Sequence, residues 1–190
     1  MAHSIELLLD SRTDTAIRAA WQALADAGLP SQVNVKSSTN RPHITLLAAE
    51  RISPNVDEVL RGLAPRLPLA CAVGAHVVFG GPVFGGSRLT LARLIVPSAD
   101  LLALHAEIYR LTLPFVSGQP YPHCRPGHWA AHATLGRRLT AVEVGTALGL
   151  AEEVAPDLMA PDLMAPDLMA EAVALRRWDS DARTDHLLIG

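Results

Sequence analysis

The chain is short of the residues that several specialised folds depend on. Only two of its 190 residues are cysteines, Cys71 and Cys124. Two widely spaced thiols make no disulfide framework, and a chain of this length has no need of one, so both are expected to be free in a reducing compartment. Lysine occurs once, as Lys36, against fifteen arginines, and the formal charge is −3. A mildly acidic chain is a poor match for tracking long nucleic acid, which needs many phosphates neutralised. It suits a small anionic substrate held by a few local groups. Aromatic residues are scarce at eight, so the core must be built from Ala, Val, Leu and Ile, within a composition that is 49% hydrophobic. No apolar run approaches the roughly 20 residues that span a bilayer. The segment Met1–Glu6 has neither the basic start nor the apolar stretch of a secretory leader. These absences predict a soluble, cytoplasmic protein, a monomer, with one domain-sized core and no membrane contact. Phosphate-binding Gly-x-x-x-x-Gly-Lys, the Gly-x-Ser-x-Gly elbow and heptad runs are also missing.

What is present reads as alternating strands and helices. Residues 4–10 suit a first strand. Thr13 is a candidate N-cap with Asp14 in the first turn, Ile17, Trp21 and Leu24 recur at helical spacing, and Gly28 followed by Pro30 ends the helix. Residues 33–36 and 42–48 are predicted extended, and Ser53-Pro54 opens a second helix. Residues 69–79 and 88–96 read as strands around a Gly- and Pro-rich connection. Ser98 caps a helix running to about residue 112, residues 114–128 form an irregular loop, and Thr140-x-x-Glu143 is a capping box for a fourth helix. Residues 171–178 and 184–189 close the chain as a strand pair. Between them and the last helix, Ala-Pro-Asp-Leu-Met occurs three times in tandem from Ala155 to Met169. A proline at every fifth position forbids a regular helix. Three copies are too few for a capped solenoid stack, so 155–169 is read as a lengthened surface loop, an insertion with a small entropic cost.

The informative residues are two tetrapeptides, His43-Ile44-Thr45-Leu46 and His132-Ala133-Thr134-Leu135, 89 residues apart and each in a strand-like run. Side chains alternate along a strand, so His43 and Thr45 share one face, as do His132 and Thr134. Two imidazoles and two hydroxyls are a full set of parts for attack on a phosphate ester. One imidazole takes a proton from the attacking oxygen, the other protonates the leaving oxygen, and the hydroxyls hold the phosphoryl oxygens. A lone His-x-Thr carries little information; the matched pair, half a chain apart, is specific.

With these motifs the chain resembles the 2H phosphoesterase superfamily, in particular its branch of 2′-5′ RNA ligase-like and cyclic phosphodiesterase proteins. The flanks Arg41-Pro42 and Gly136-Arg137 also fit, as do Phe84 and the helix carrying Leu104-His105 after Val96-Pro97. The likeness covers about residues 4–150 and resumes at the closing strands; the pentapeptide insert has no counterpart. It implies a single α+β domain over residues 1–190, bilobal, with two antiparallel-sheet lobes, flanking helices and both motifs facing a central cleft. It further implies hydrolysis of a 2′,3′-cyclic phosphate on an RNA 3′ end or small nucleotide, leaving a 2′-phosphate, with no metal and no cofactor. In that direction His132 is the base and His43 the acid; in ligation the roles exchange. The family pattern puts a substrate-binding arginine at Arg137, and Phe84 is placed to stack on a base or ribose.

Other assignments compete for some of these residues. Strict alternation puts Arg138, not Arg137, on the His132 face, unless a bulge at Gly136 turns Arg137 inward. Arg41 reads as a rim residue, and Tyr121 and Trp129 as further candidates to flank a substrate. The cluster His123-Cys124-x3-His128-x3-His132 has zinc-like spacing but lacks a Cys-x-x-Cys or His-Glu-x-x-His frame. His3, His76, His105 and His186 have no partner motif and are expected at surface or helix positions. Two other functions stay open at this point: an idle binder of nucleotides or RNA ends on the same scaffold, and a zinc-dependent hydrolase.

Overall fold

A computed structural model describes residues 2–80, 88–154 and 168–190, and among these described residues there are nine strands and four α-helices. The strands are β1 (His3–Leu9), β2 (His43–Ala49), β3 (Arg51–Ile52), β4 (Leu69–Gly80), β5 (Leu89–Ile95), β6 (Val116–Ser117), β7 (His132–Leu139), β8 (Leu168–Asp179) and β9 (Thr184–Ile189). The helices are α1 (Ser11–Asp26), α2 (Val56–Arg61), α3 (Ala99–Thr112) and α4 (Ala141–Val154). The architecture is the expected α+β type.

Seven strands form one antiparallel sheet in the order β2-β1-β8-β4-β5-β7, with β9 also on β8, while β3 and β6 pair separately. Strand β8 joins the two halves. Its residues 172–178 pair with β1, and 168–172 pair with β4. The last two residues of the pentapeptide repeat, Leu168 and Met169, are therefore strand opposite Val73 and Ala72 rather than loop. Positions 155–167 lie outside the described residues. The motif strands β2 and β7 end the strand order on opposite sides, yet they lie against each other. No ladder joins these two strands, so the sheet stays open between them.

Local chemistry explains most of the element boundaries. Helix α1 is capped by Asp10, whose carboxylate accepts from the backbone N–H of Thr13 at 2.9 Å and from its hydroxyl at 2.8 Å. Thr13 is thus inside the helix, because a carboxylate at the cap satisfies the amide and also faces the positive end of the helix dipole. The Thr140–Glu143 capping box forms as expected, with reciprocal bonds of 2.6 and 3.2 Å. Ser98 caps α3 by accepting from the Leu101 N–H at 3.2 Å. Of residues 33–36, expected to be extended, the first two lie in a single 3-10 turn, Gln32–Asn34, started by Ser31, whose hydroxyl accepts from the Val33 N–H. Ser53-Pro54 begins a turn, and α2 proper starts two residues later.

The core is aliphatic, as the scarcity of aromatics requires. Ile5, Leu7, Ile17, Ile44, Leu46, Leu47, Leu91 and Leu135 are at most 1% exposed. Each is worth about 1.5–3 kcal/mol of burial. Two adjacent charged residues are buried with them. Arg176, opposite Glu6, bonds that carboxylate, whereas Arg177, opposite Ile5, reaches Asp57 of α2 with bonds of 2.6 and 2.9 Å. Neighbours on a strand face opposite ways, so one arginine serves the motif face of the sheet and the other ties on a helix.

Candidate active site

Strand register builds the site from the two tetrapeptides in the same way twice. In β2, Thr45 pairs with Glu6 and Leu47 with Ile5, so the ladder skips Leu46. In β7, Thr134 pairs with Ala92 and Gly136 with Leu91, so it skips Leu135. Each motif leucine is therefore a bulge residue, anchored by a fully buried side chain. The bulge in β7 also answers the arginine question. Beyond it Arg137 pairs with Thr90, two residues along from Ala92, and returns to the His132 and Thr134 face. Arg138 is skipped by the ladder and adopts the left-handed conformation at φ 67°. Gly136 is required by packing: a Cβ there would collide with the Pro30 carbonyl oxygen.

Both imidazoles are held alike. His43 Nδ1 lies 2.7 Å from the Arg41 carbonyl oxygen, and His132 Nδ1 lies 2.7 Å from that of Ala130. A carbonyl only accepts, so each Nδ1 carries hydrogen and donates, and each Nε2 is left for chemistry. The two half-buried rings sense each other's charge. Burial holds the His132 imidazole below its ordinary value, the hydrogen bond to Ala130 pushes back, and the positive charges of Arg137, His43 and His123 add to the depression. Near neutral pH this favours the neutral, proton-accepting ring. The Glu6 carboxylate lies 3.7 Å from His43 Nε2.

Glu6 and Phe79 are site residues that sequence reasoning missed. Glu6 is 4% exposed. One of its oxygens accepts from the Ser4 hydroxyl at 2.5 Å, and the other from Arg176 at 2.8 Å. Arg176 is held in turn by Asp185 and the Thr39 carbonyl, each at 2.9 Å. Burial pushes the Glu6 carboxyl up, but the charges of His43 and Arg176 and the Ser4 hydrogen bond outweigh it and hold Glu6 ionised. Phe79 of β4 packs its ring 4.6 Å from that of His132. The strand alternation around Glu6 was readable; its partner, 170 residues away, was not.

The remaining candidates fall into place as follows. Phe84 lies outside the described residues. Arg41 turns towards Asp14 of α1, with 3.8 Å between charged atoms, which is a rim position. Trp129 is not free to flank a substrate: its indole N–H donates to the Thr45 carbonyl at 2.9 Å and its ring stacks on His105. Tyr121 is 40% exposed beside His123, ring centroids 5.9 Å apart. His105 and His3 are buried, 1% and 3% exposed, and His3 is no surface residue because it faces Asp179 and Asp181. Those three form the sole grouping among the described residues with metal-ligand spacing. Arg51 already engages Asp181 at 3.1 Å, and Asp179 already accepts two backbone N–H groups. The His123-Cys124-His128 cluster does not converge on a point. Cys124 is buried, its thiol pushed up by burial and so kept protonated.

No protein-family model matches the chain, and no curated protein matches it in sequence. Solved structures do match. The chain shares the fold of Kluyveromyces marxianus Usb1. The two align with a TM-score of 0.53 at 14% identity, over 98% of this chain and 97% of that one. Usb1 from the same yeast with uridine monophosphate aligns at 0.53 and 13% identity, over 98% and 96%. The likeness extends over nearly the full length of both chains. Among the described residues, no helix is long and apolar enough to cross a membrane.

Proposed function

We propose that the protein is a phosphodiesterase that opens 2′,3′-cyclic phosphates of RNA ends or small nucleotides by two-histidine acid/base catalysis, without a metal. The observation that carries this reading is the matched presentation of His43 and His132. Both have Nδ1 tied to the carbonyl two residues upstream, both leave Nε2 without a hydrogen bond, and both stand on edge strands that lie together. The shared fold with a protein solved with uridine monophosphate supports a nucleotide as the substrate class.

In the hydrolytic direction neutral His132 takes a proton from water as its oxygen bonds to phosphorus. The bond from phosphorus to the 3′ oxygen breaks, and His43, as the acid, delivers a proton to that oxygen. The product is a 2′-phosphate with a free 3′ hydroxyl. The two histidines end in exchanged protonation states and reset through solvent. Thr45, Thr134 and Arg137 donate to the phosphoryl oxygens, where charge develops.

The test is incubation with each 2′,3′-cyclic nucleotide in excess chelator, with the product identified by phosphorus NMR. Turnover to a 2′-phosphate that persists in chelator is expected. Absence of turnover with retained nucleotide binding would replace the enzyme by a binding protein, and loss on chelation would make it a metal-dependent hydrolase.

A further inference from the structure

Edge strands leave backbone carbonyls without ladder partners, and a bulge adds to them. In both motif strands the exposed carbonyl at the catalytic threonine is taken by a tryptophan from the other half of the chain. Trp21, on α1 in the first half, donates its indole N–H to the Thr134 carbonyl at 2.9 Å. Trp129, in the second half just ahead of β7, donates to the Thr45 carbonyl at 2.9 Å. Each bond crosses from one motif's side to the other's.

The second crossing is reinforced. The Trp129 ring lies flat on His105 of α3, centroids 3.9 Å apart and planes within 6°. His105 Nε2 sits 3.1 Å from the Leu46 carbonyl oxygen and 3.0 Å from that of Cys124. Two carbonyls around one ring nitrogen require an N–H there, so His105 is a donor shared between the bulge residue of β2 and the loop before β7. Tyr121 N–H bonds the Ala48 carbonyl at 2.9 Å, docking the same loop further along β2. Trp21 is 2% exposed and its own carbonyl accepts from Ser31 at 2.6 Å, so the first indole is also buried and its backbone tied down.

We propose that Trp21 and Trp129, the latter backed by His105, are positioning residues that form a reciprocal brace, fixing the two His-x-Thr-Leu bulges at the separation at which both imidazoles reach one phosphorus atom. The proposal rests on the two-histidine reading for its catalytic consequence and on the hydrogen bonds alone for its existence. Neither tryptophan touches substrate. Each sets where a threonine and, two residues before it, a histidine stand.

Trp129→Phe keeps a ring against His105 and removes the donor; Trp21→Phe does the same at the other crossing. Displacing reacting groups by about 1 Å costs about 10²-fold. The expected result is therefore a fall in kcat of about 10- to 100-fold in each variant, with KM within about threefold of the wild type. A melting temperature that drops while kcat per folded molecule stays at the wild-type value overturns the proposal. In the wild-type protein both indole Nε1 protons are expected to resist exchange with solvent, and rapid exchange of either overturns the brace even where a variant fails to fold. Should the wild type turn over no cyclic nucleotide, the phosphodiesterase reading fails separately. The brace then stands if Trp129→Phe moves the His43 ring resonances and Trp21→Phe those of His132, and falls if neither moves.

Discussion

Replacing Glu6 by glutamine removes the charge at the centre of the polar network behind His43 while keeping its shape. In the wild type, Arg176 gives Glu6 two contacts of 2.8 Å, and Ser4 adds one of 2.5 Å. Breaking one member of a buried pair costs about 3–5 kcal/mol, because the other charge stays buried. Here Arg176 retains Asp185 and the Thr39 carbonyl. The cost therefore belongs at the lower end, about 3 kcal/mol, or about 6–12 °C in melting temperature for a chain of this size. Chemical denaturation at neutral pH measures it. The effect has a direction in pH. The folded carboxyl sits below its ordinary value, so its contribution is complete above the unfolded value of about 4.3. It is lost as pH falls through the lower folded value. The gap between wild type and Glu6→Gln is expected to narrow on acidification through that range. A destabilisation under about 0.5 kcal/mol at pH 7, or a gap that widens in acid, would refute the reasoning that this pair is a buried, ionised support for the site.

Further outcomes follow from the same geometry. The acidic limb of the kcat/KM profile is expected below 6.5, since burial and the Arg137, His43 and His123 charges all depress His132. Arg137→Ala should move that limb upward and raise KM, and a limb left in place would take Arg137 out of the site. Gly136→Ala is expected to destabilise by about 1–3 kcal/mol, as for an overpacked core, because the new Cβ meets the Pro30 backbone and the Leu139 side chain. A neutral result by thermal melting would contradict the tight contact under the bulge.

The residues of the candidate site were legible because strand alternation and a repeated tetrapeptide are local signals. His43, Thr45, His132 and Thr134 required only a period of two. The bulge that turns Arg137 inward was half-legible, through Gly136. What sequence could not carry is the long-range set: Glu6 with Arg176, Trp21 with Thr134, Trp129 with Thr45, and Phe79 against His132. Nothing local marks Glu6 as buried, and nothing local ties Arg176 of the closing strand to it. His105 looked like an ordinary helix residue because the two carbonyls it bonds come from different elements. The 3-10 turn at 32–34 depends on a single serine cap, below the reach of periodicity. The end of the pentapeptide repeat became strand because β4 offers it a partner, a tertiary preference that composition does not contain.

The central claim is that His43 and His132 act as one unit on one phosphorus atom. Single and double alanine variants assayed on a 2′,3′-cyclic nucleotide test it most directly. Each single variant is expected to lose about 10²–10⁴ in kcat, with the double variant little worse than the poorer single, as for residues that work together. A variant of either histidine that keeps near wild-type turnover, or losses that multiply in the double variant, would contradict it.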